Sequence, residues 1–216
     1  YELIHTFTKG SINHIHSFYQ DSQSKEIFFN VGDYCKSVGI WKLNLETLNP
    51  EPYLIGSQEY RSVFCWIDDS NYIFATDFPG GNNRLNKIKI SDENQEVECI
   101  GLLNGPVIYG VETEEYTYFA TSAEPKKALG LFSYIPILPI FQKSYLYRYE
   151  KATASLECIS SAKKDWFNPY LFGFGSFQFP HTEVNSALYV NKVGLTKKTK
   201  SNLISSSSSS YDVYEL

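Results

Sequence analysis

The chain contains no methionine and only three arginines, Arg61, Arg84 and Arg148. Its 19 basic side chains stand against 24 acidic ones for a net charge of -5. No overall cationic field draws in a phosphate backbone, and nucleic acid is excluded as an expected partner. Long apolar runs are missing as well. No stretch approaches the roughly 20 residues of a membrane-spanning helix, and no basic-then-apolar leader opens the sequence. A soluble chain without a transmembrane segment is expected, and the compartment stays open. The four cysteines, Cys35, Cys65, Cys99 and Cys158, never fall at C-x-x-C spacing. That argues against a zinc knuckle or a thioredoxin-type pair and leaves them as small buried hydrophobes. Without an initiator, and with an opening stretch (1–8) that already reads as a strand, the chain is expected to be a fragment or processed product lacking an N-terminal portion.

Aromatic residues, by contrast, are plentiful: 17 Tyr, 15 Phe and 3 Trp in 216 residues. With hydrophobic residues at 43%, disorder is excluded. No window sustains a 3.6-residue period with helix caps. What recurs is a longer period. Residues 27–33 (IFFNVGD) resemble 72–77 (YIFATD), which resemble 118–124 (YFATSAE). Each run ends on an acid, Asp33, Asp77 or Glu124, and follows another apolar strand after a polar turn. Two more strands complete each unit.

Four short antiparallel strands repeating every 40 to 50 residues signal a β-propeller blade. The expectation is an all-β, single-domain propeller with four visible blades near 12–57, 58–104, 105–165 and 166–216. These form part of a ring of five or more blades. The opening 1–8 is then an outermost strand. The proline-containing apolar stretch 128–141 reads as an insertion, either folded onto its own domain or making an oligomer or membrane-surface contact. The serine-rich 197–210 reads as a mobile loop.

Strand direction predicts a site. In a four-strand meander the start of the first strand, the end of the second and the end of the fourth share one edge. That edge collects His14, His16, Arg61 and Tyr109 from first strands, Asp33, Asp77 and Glu124 from second strands, and Lys164 and Asp165 from a fourth. Two carboxylates facing a glycosidic bond supply a general acid and a nucleophile or base, and an arginine orients an acidic sugar. The acids equally suit turn roles as Asx-type caps. His14 and His16 share a strand face. They read as polar lining, with a divalent metal held by the pair as the minor alternative; no other cofactor is called for. Most aromatics read as core. Trp166 is the exception, as an apolar platform for a sugar ring.

The ordered string His14-Ile15-His16, Val31-Gly32-Asp33, Gly39-Ile40-Trp41, Ala75-Thr76-Asp77, Gly105-Pro106-Val107, Ala123-Glu124-Pro125 and Lys164-Asp165 resembles the sialidase-like (BNR-type) β-propeller proteins of bacteria and their phages. The resemblance covers roughly residues 10–195. It implies a propeller associated with glycans, often in a surface-polysaccharide setting. The Asp-box turn of true sialidases is absent, and Arg84 and Arg148 fall on third strands, so the resemblance does not carry sialidase chemistry with it.

The expected function is carbohydrate recognition by a central pocket lined by His14, Asp33, Arg61, Tyr109, Lys164, Asp165 and Trp166. If the chain cleaves its ligand, it is a glycoside hydrolase or polysaccharide lyase with Asp77 and Glu124 as the pair and His16 as an alternative base. The competing expectation is a protein-interaction scaffold that uses 128–141 to form a homo-oligomer.

Overall fold

The computed structural model describes residues 3–21, 24–33, 36–79, 81–91, 94–124, 142–167, 173–180, 187–196 and 210–215. Among these the chain is all-β, with one short 3-10 turn (Gln58–Tyr60) and every strand pair antiparallel. Strands β1 (His14–Gln20), β2 (Ile27–Gly32), β3 (Gly39–Leu43) and β4 (Pro50–Ile55) form one meander in that order. Strands β5 (Ser62–Asp68), β6 (Asn71–Thr76), β7 (Asn83–Lys89) and β8 (Glu98–Leu103) form a second. A third meander consists of β9 (Val107–Glu112), β10 (Tyr116–Ala123), β11 (Lys143–Glu150) and β12 (Ser155–Lys163). The end of β10 continues it into β13 (Gly175–Gln178), β14 (Ala187–Val193) and β15 (Ser210–Glu215). The chain divides into two compact units, Tyr1–Leu103 and Asn104–Leu216. No helix among the described residues is long and apolar enough to cross a membrane.

The second strand of each meander is the most buried, and its sequence says why. β2, β6 and β10 are near-continuous apolar runs that lie inside on both faces, the pattern of a central strand. In the first unit the two meanders pack through Phe28, Ile40, Cys65, Tyr72, Phe74 and Ile88. Polar Asn30 is buried beside this core. The Asn30 amide donates to Ser17 Oγ at 2.9 Å and to Cys65 Sγ at 3.3 Å, and its oxygen accepts from Tyr72 at 3.3 Å, so its burial leaves no amide group unsatisfied. The second unit closes on Tyr118, Ala120, Ala123, Leu146, Phe177, Leu188, Val190 and Leu195.

The repeat is sharper in the ladders than in the letters. Each first strand carries a bulge at the same place. One residue, His16, Val63 or Ile108, is extra opposite the steps Asn30–Val31, Ala75–Thr76 and Ala120–Thr121. Asn30, Ala75 and Ala120 are therefore equivalent and 45 positions apart each time (30 to 75, 75 to 120). Each fourth strand is bulged as well, beside Ile40–Trp41, Leu85–Asn86 and Leu146–Tyr147.

Several expectations change. Residues 3–8 form no strand; Phe7 instead packs edge-on against Phe29 and Trp41, at 6.2 and 5.7 Å between ring centres. Within the expected fourth blade, 166–216, the first described strand is Gly175–Gln178. Only Cys65 is a buried cysteine among those described. Cys99 and Cys158 are exposed, because both sit at fourth-strand bulges on the outer side of their meanders. Each thiol spans its bulge to a carbonyl two residues on, Gly101 at 3.6 Å and Ser160 at 3.5 Å. The insertion 128–141 and residues 197–209 of the expected loop lie outside the described residues; Ser210 opens β15.

Phe74 is fully buried at the centre of the first core. Phe74→Ala is expected to destabilise the first unit by about 3–5 kcal/mol, through lost burial plus a cavity. Urea unfolding checks this as a lower midpoint at unchanged slope; a loss below about 1 kcal/mol would contradict the packing.

Candidate functional site

Five side chains from the two meanders of the first unit meet at the edge where first strands start and second strands end. His14 comes from β1 before its bulge and His16 is the bulged residue, Asp33 follows β2, Arg61 precedes β5 and Asp77 follows β6. The ladder shows how this edge differs between repeats. Asp77 is the equivalent of Gly32, not of Asp33, and Ser122 is its counterpart in the third meander. The three acids that look equivalent in sequence are thus displaced from one another: Asp33 lies one position further on, and Glu124 two positions beyond Ser122.

Local geometry explains how Asp33 reaches the cluster. Its φ of 117° is one that a non-glycine residue rarely takes. This bends the chain so that the carboxylate turns back over β1, and Gln58 Nε2 donates to the Asp33 carbonyl to hold the bend. The space that Asp77 fills in its own repeat is left open by Gly32. A Cβ at Gly32 would stand 1.9 Å from His16 Nε2, so the imidazole occupies the room of the missing side chain.

The contacts then form a chain. Asp33 Oδ2 lies 3.3 Å from His14 Nδ1, and Asn13 Nδ2 donates to the same oxygen at 3.3 Å. Asp33 Oδ1 lies 3.2 Å from Arg61 Nη2 and 4.0 Å from His16 Nε2. Arg61 Nη2 also lies 2.9 Å from Asp77 Oδ2. The imidazoles of His14 and His16 are 4.6 Å apart between centres. His16 Nδ1 is 2.9 Å from the Ser62 carbonyl; a carbonyl only accepts, so Nδ1 carries the proton. Exposure falls inward along the cluster, from 54% for the His14 side chain to 22% for Asp33 and 5% for Asp77. Burial pushes the His16 pKa below 6.5; the Ser62 carbonyl works against this, while His14 and Arg61 add to it.

The remaining candidates belong to the second unit. Lys164 is fully buried, its ammonium held by Asp165 and donating to the Phe167 carbonyl at 3.3 Å. Its stem lies against Gly175, where a Cβ would come within 2.9 Å of Lys164 Cδ. The sequence placed Lys164 in a ligand-facing lining, but the structure gives it an internal partner. Glu124 accepts from Ser122 Oγ at 2.9 Å. Tyr109, at 40%, and Trp166, at 70%, are open to solvent. Arg84 and Arg148 pair with Glu59 and Glu157 instead, on third strands as expected.

Sequence inspection did not single out Gly32, Gln58, Asn13 or the Ser62 carbonyl. Gly32 carried a usable signal, a glycine at a strand end where the neighbouring repeats have Asp77 and Ser122; a backbone carbonyl carries none. No protein-family model matches this chain, and no curated protein matches it.

With divalent cations stripped from the buffer, the His16 imidazole is expected to titrate below 6.5 by NMR. Below that pH the native state binds fewer protons than the unfolded chain, so stability falls as the pH drops from 6.5 through the native value. His16→Gln is expected to remove that part of the slope, and an unchanged slope would contradict the burial. Gly32→Ala is expected to destabilise by about 1–3 kcal/mol through overpacking against the imidazole, read as a lower melting temperature and a shifted His16 resonance.

Proposed function

We propose that the chain is a run of four-stranded blades from a β-propeller of five or more blades, and that the edge carrying His14, His16, Asp33, Arg61 and Asp77 is a carbohydrate-binding site. Two complete meanders and a third of identical register support the blade reading, since radial repetition of such units builds a propeller. The observation that carries the binding reading is the single polar network formed where two successive repeats meet. Carboxylates accept from sugar hydroxyls, and a guanidinium presents donors in a fixed fork.

The same network favours binding over cleavage. Glycoside hydrolysis needs one carboxyl group that holds its proton while another is ionised. Asp33 and Asp77 are both tied to one guanidinium, Arg61, which takes up oxygens that an acid–base pair would turn to a substrate. Asp77 is also nearly inaccessible to a substrate.

The test exposes the intact chain to a panel of neutral and acidic polysaccharides. Affinity electrophoresis reads binding, and mass spectrometry reads released oligosaccharides. At least one polysaccharide is expected to retard the protein, Asp33→Asn to weaken retardation more than tenfold, and no products to appear. Released products that vanish in Glu124→Gln would make the chain an enzyme and overturn the binding-only assignment. Folded protein retarded by no polysaccharide would overturn the glycan assignment itself.

A further inference from the structure

We propose that His14 Nδ1, His16 Nε2 and an oxygen of Asp33 bind a divalent transition-metal ion of the zinc type. The inference does not rest on the glycan proposal. The three donor atoms lie within 4.8 Å of one another. Ligands at 2.0–2.2 Å from a tetrahedral Zn(II) are roughly 3.3 Å apart, and His14 Nδ1 and Asp33 Oδ2 already stand at 3.3 Å. His16 Nε2 lies 4.0 Å from the other oxygen, Oδ1, so the carboxylate turns one oxygen toward each imidazole.

Three features independent of that spacing point the same way. First, His16 Nδ1 donates to the Ser62 carbonyl at 2.9 Å, so in the neutral ring Nε2 keeps the lone pair that a metal ligand needs. A histidine ligand fixed through its other nitrogen by a backbone carbonyl is the usual support of a metal site. Second, Arg61 holds Asp33 Oδ1 at 3.2 Å, which orients the carboxylate and leaves Oδ2, on the His14 side, for the ion. Arg61 is in turn neutralised by Asp77, so the site is not left with an uncompensated guanidinium. Third, Asp33 is held at φ 117° and Gly32 is the residue that admits the imidazole. Backbone strain concentrated on a prospective ligand is a mark of a functional site.

Two imidazoles and one carboxylate suit zinc, cobalt, nickel, copper or iron over magnesium or calcium, which prefer all-oxygen sets. Three protein ligands leave at least one coordination position for water or an oxygen of a bound molecule, as in open rather than structural sites. The competing role for these residues is a plain hydrogen-bonded surface cluster in which His14 Nδ1 donates to Asp33.

The test uses the full chain with Cys35→Ser, Cys99→Ser and Cys158→Ser, so that thiols other than buried Cys65 do not compete for the ion. Cobalt(II) is titrated in and followed by its visible absorption, then displaced with zinc(II). One ion per chain is expected, unmoved by excess magnesium, with zinc raising the melting temperature. His14→Gln alters a half-exposed side chain and is expected to keep the fold by circular dichroism while weakening cobalt binding more than tenfold. Asp33→Asn is expected to do the same and serves if the first variant does not fold. No cobalt spectrum overturns the site, and so does equal affinity in the parent and either folded variant, which would put the ion elsewhere.

Discussion

A single guanidinium holds the edge of the first unit together. Arg61 Nη2 lies between a carboxylate that follows β2 and one that follows β6, at 3.2 and 2.9 Å. Without it, Asp33 and Asp77 would repel each other in a place that water reaches poorly. Removing one partner of such a mostly buried arrangement costs more than the pair contributes, because a charge is left stranded. The second unit solves a similar problem on a smaller scale, with buried Lys164 held by Asp165. In each unit one enclosed cation is fastened by a carboxylate near a strand end.

The chemistry of the edge depends on how three repeats of one register diverge. Where the second and third meanders have Thr76 and Thr121, each hydroxyl accepts a third-strand N–H, from Arg84 at 2.8 Å and from Tyr145 at 2.9 Å. The first meander has Val31 there and cannot make that bond. Its third strand instead enters at Gly39, with φ 131° and a backbone so close that a Cβ would stand 2.2 Å from the Leu54 carbonyl. One position later the series reads Gly32, Asp77, Ser122, and opposite it His14, Arg61, Pro106. The same two slots hold an ion pair in the second meander and a neutral pair in the third. In the first they hold a glycine and a histidine, which leave room for a second histidine and an aspartate.

Much of the fold was legible because burial writes itself in runs of apolar letters. The central strands β2, β6 and β10, the hairpin turns and the near-constant repeat all follow from that. The bulges were not legible. Strict alternation registers only which face a residue takes, and one inserted residue such as His16 leaves no mark in composition. The displacement of Asp33 from Asp77 was hidden for the same reason: aligning acid with acid gave steps of 44 and 47, while the ladders step by 45. At the site, His14, His16, Asp33, Arg61 and Asp77 were named from strand direction alone, which locates an edge. The burial of Lys164 was missed because a lysine beside an aspartate looks solvated until its stem is seen lying on Gly175.

Stability does not account for the cluster. Enclosed ion pairs are weak contributors to folding, and well-packed apolar residues in their place are often neutral or better. Here the chain also keeps a left-handed aspartate, a buried histidine and a strand start whose equivalents elsewhere in the chain are a proline and an arginine. These departures fall together in one repeat while the hydrophobic frame around them stays regular. Local inconsistency of that kind, confined to one edge of an otherwise consistent fold, is where sequences give up stability for a ligand. The five residues form one polar edge carried by the sheets, and the regular ladders behind them fix its geometry.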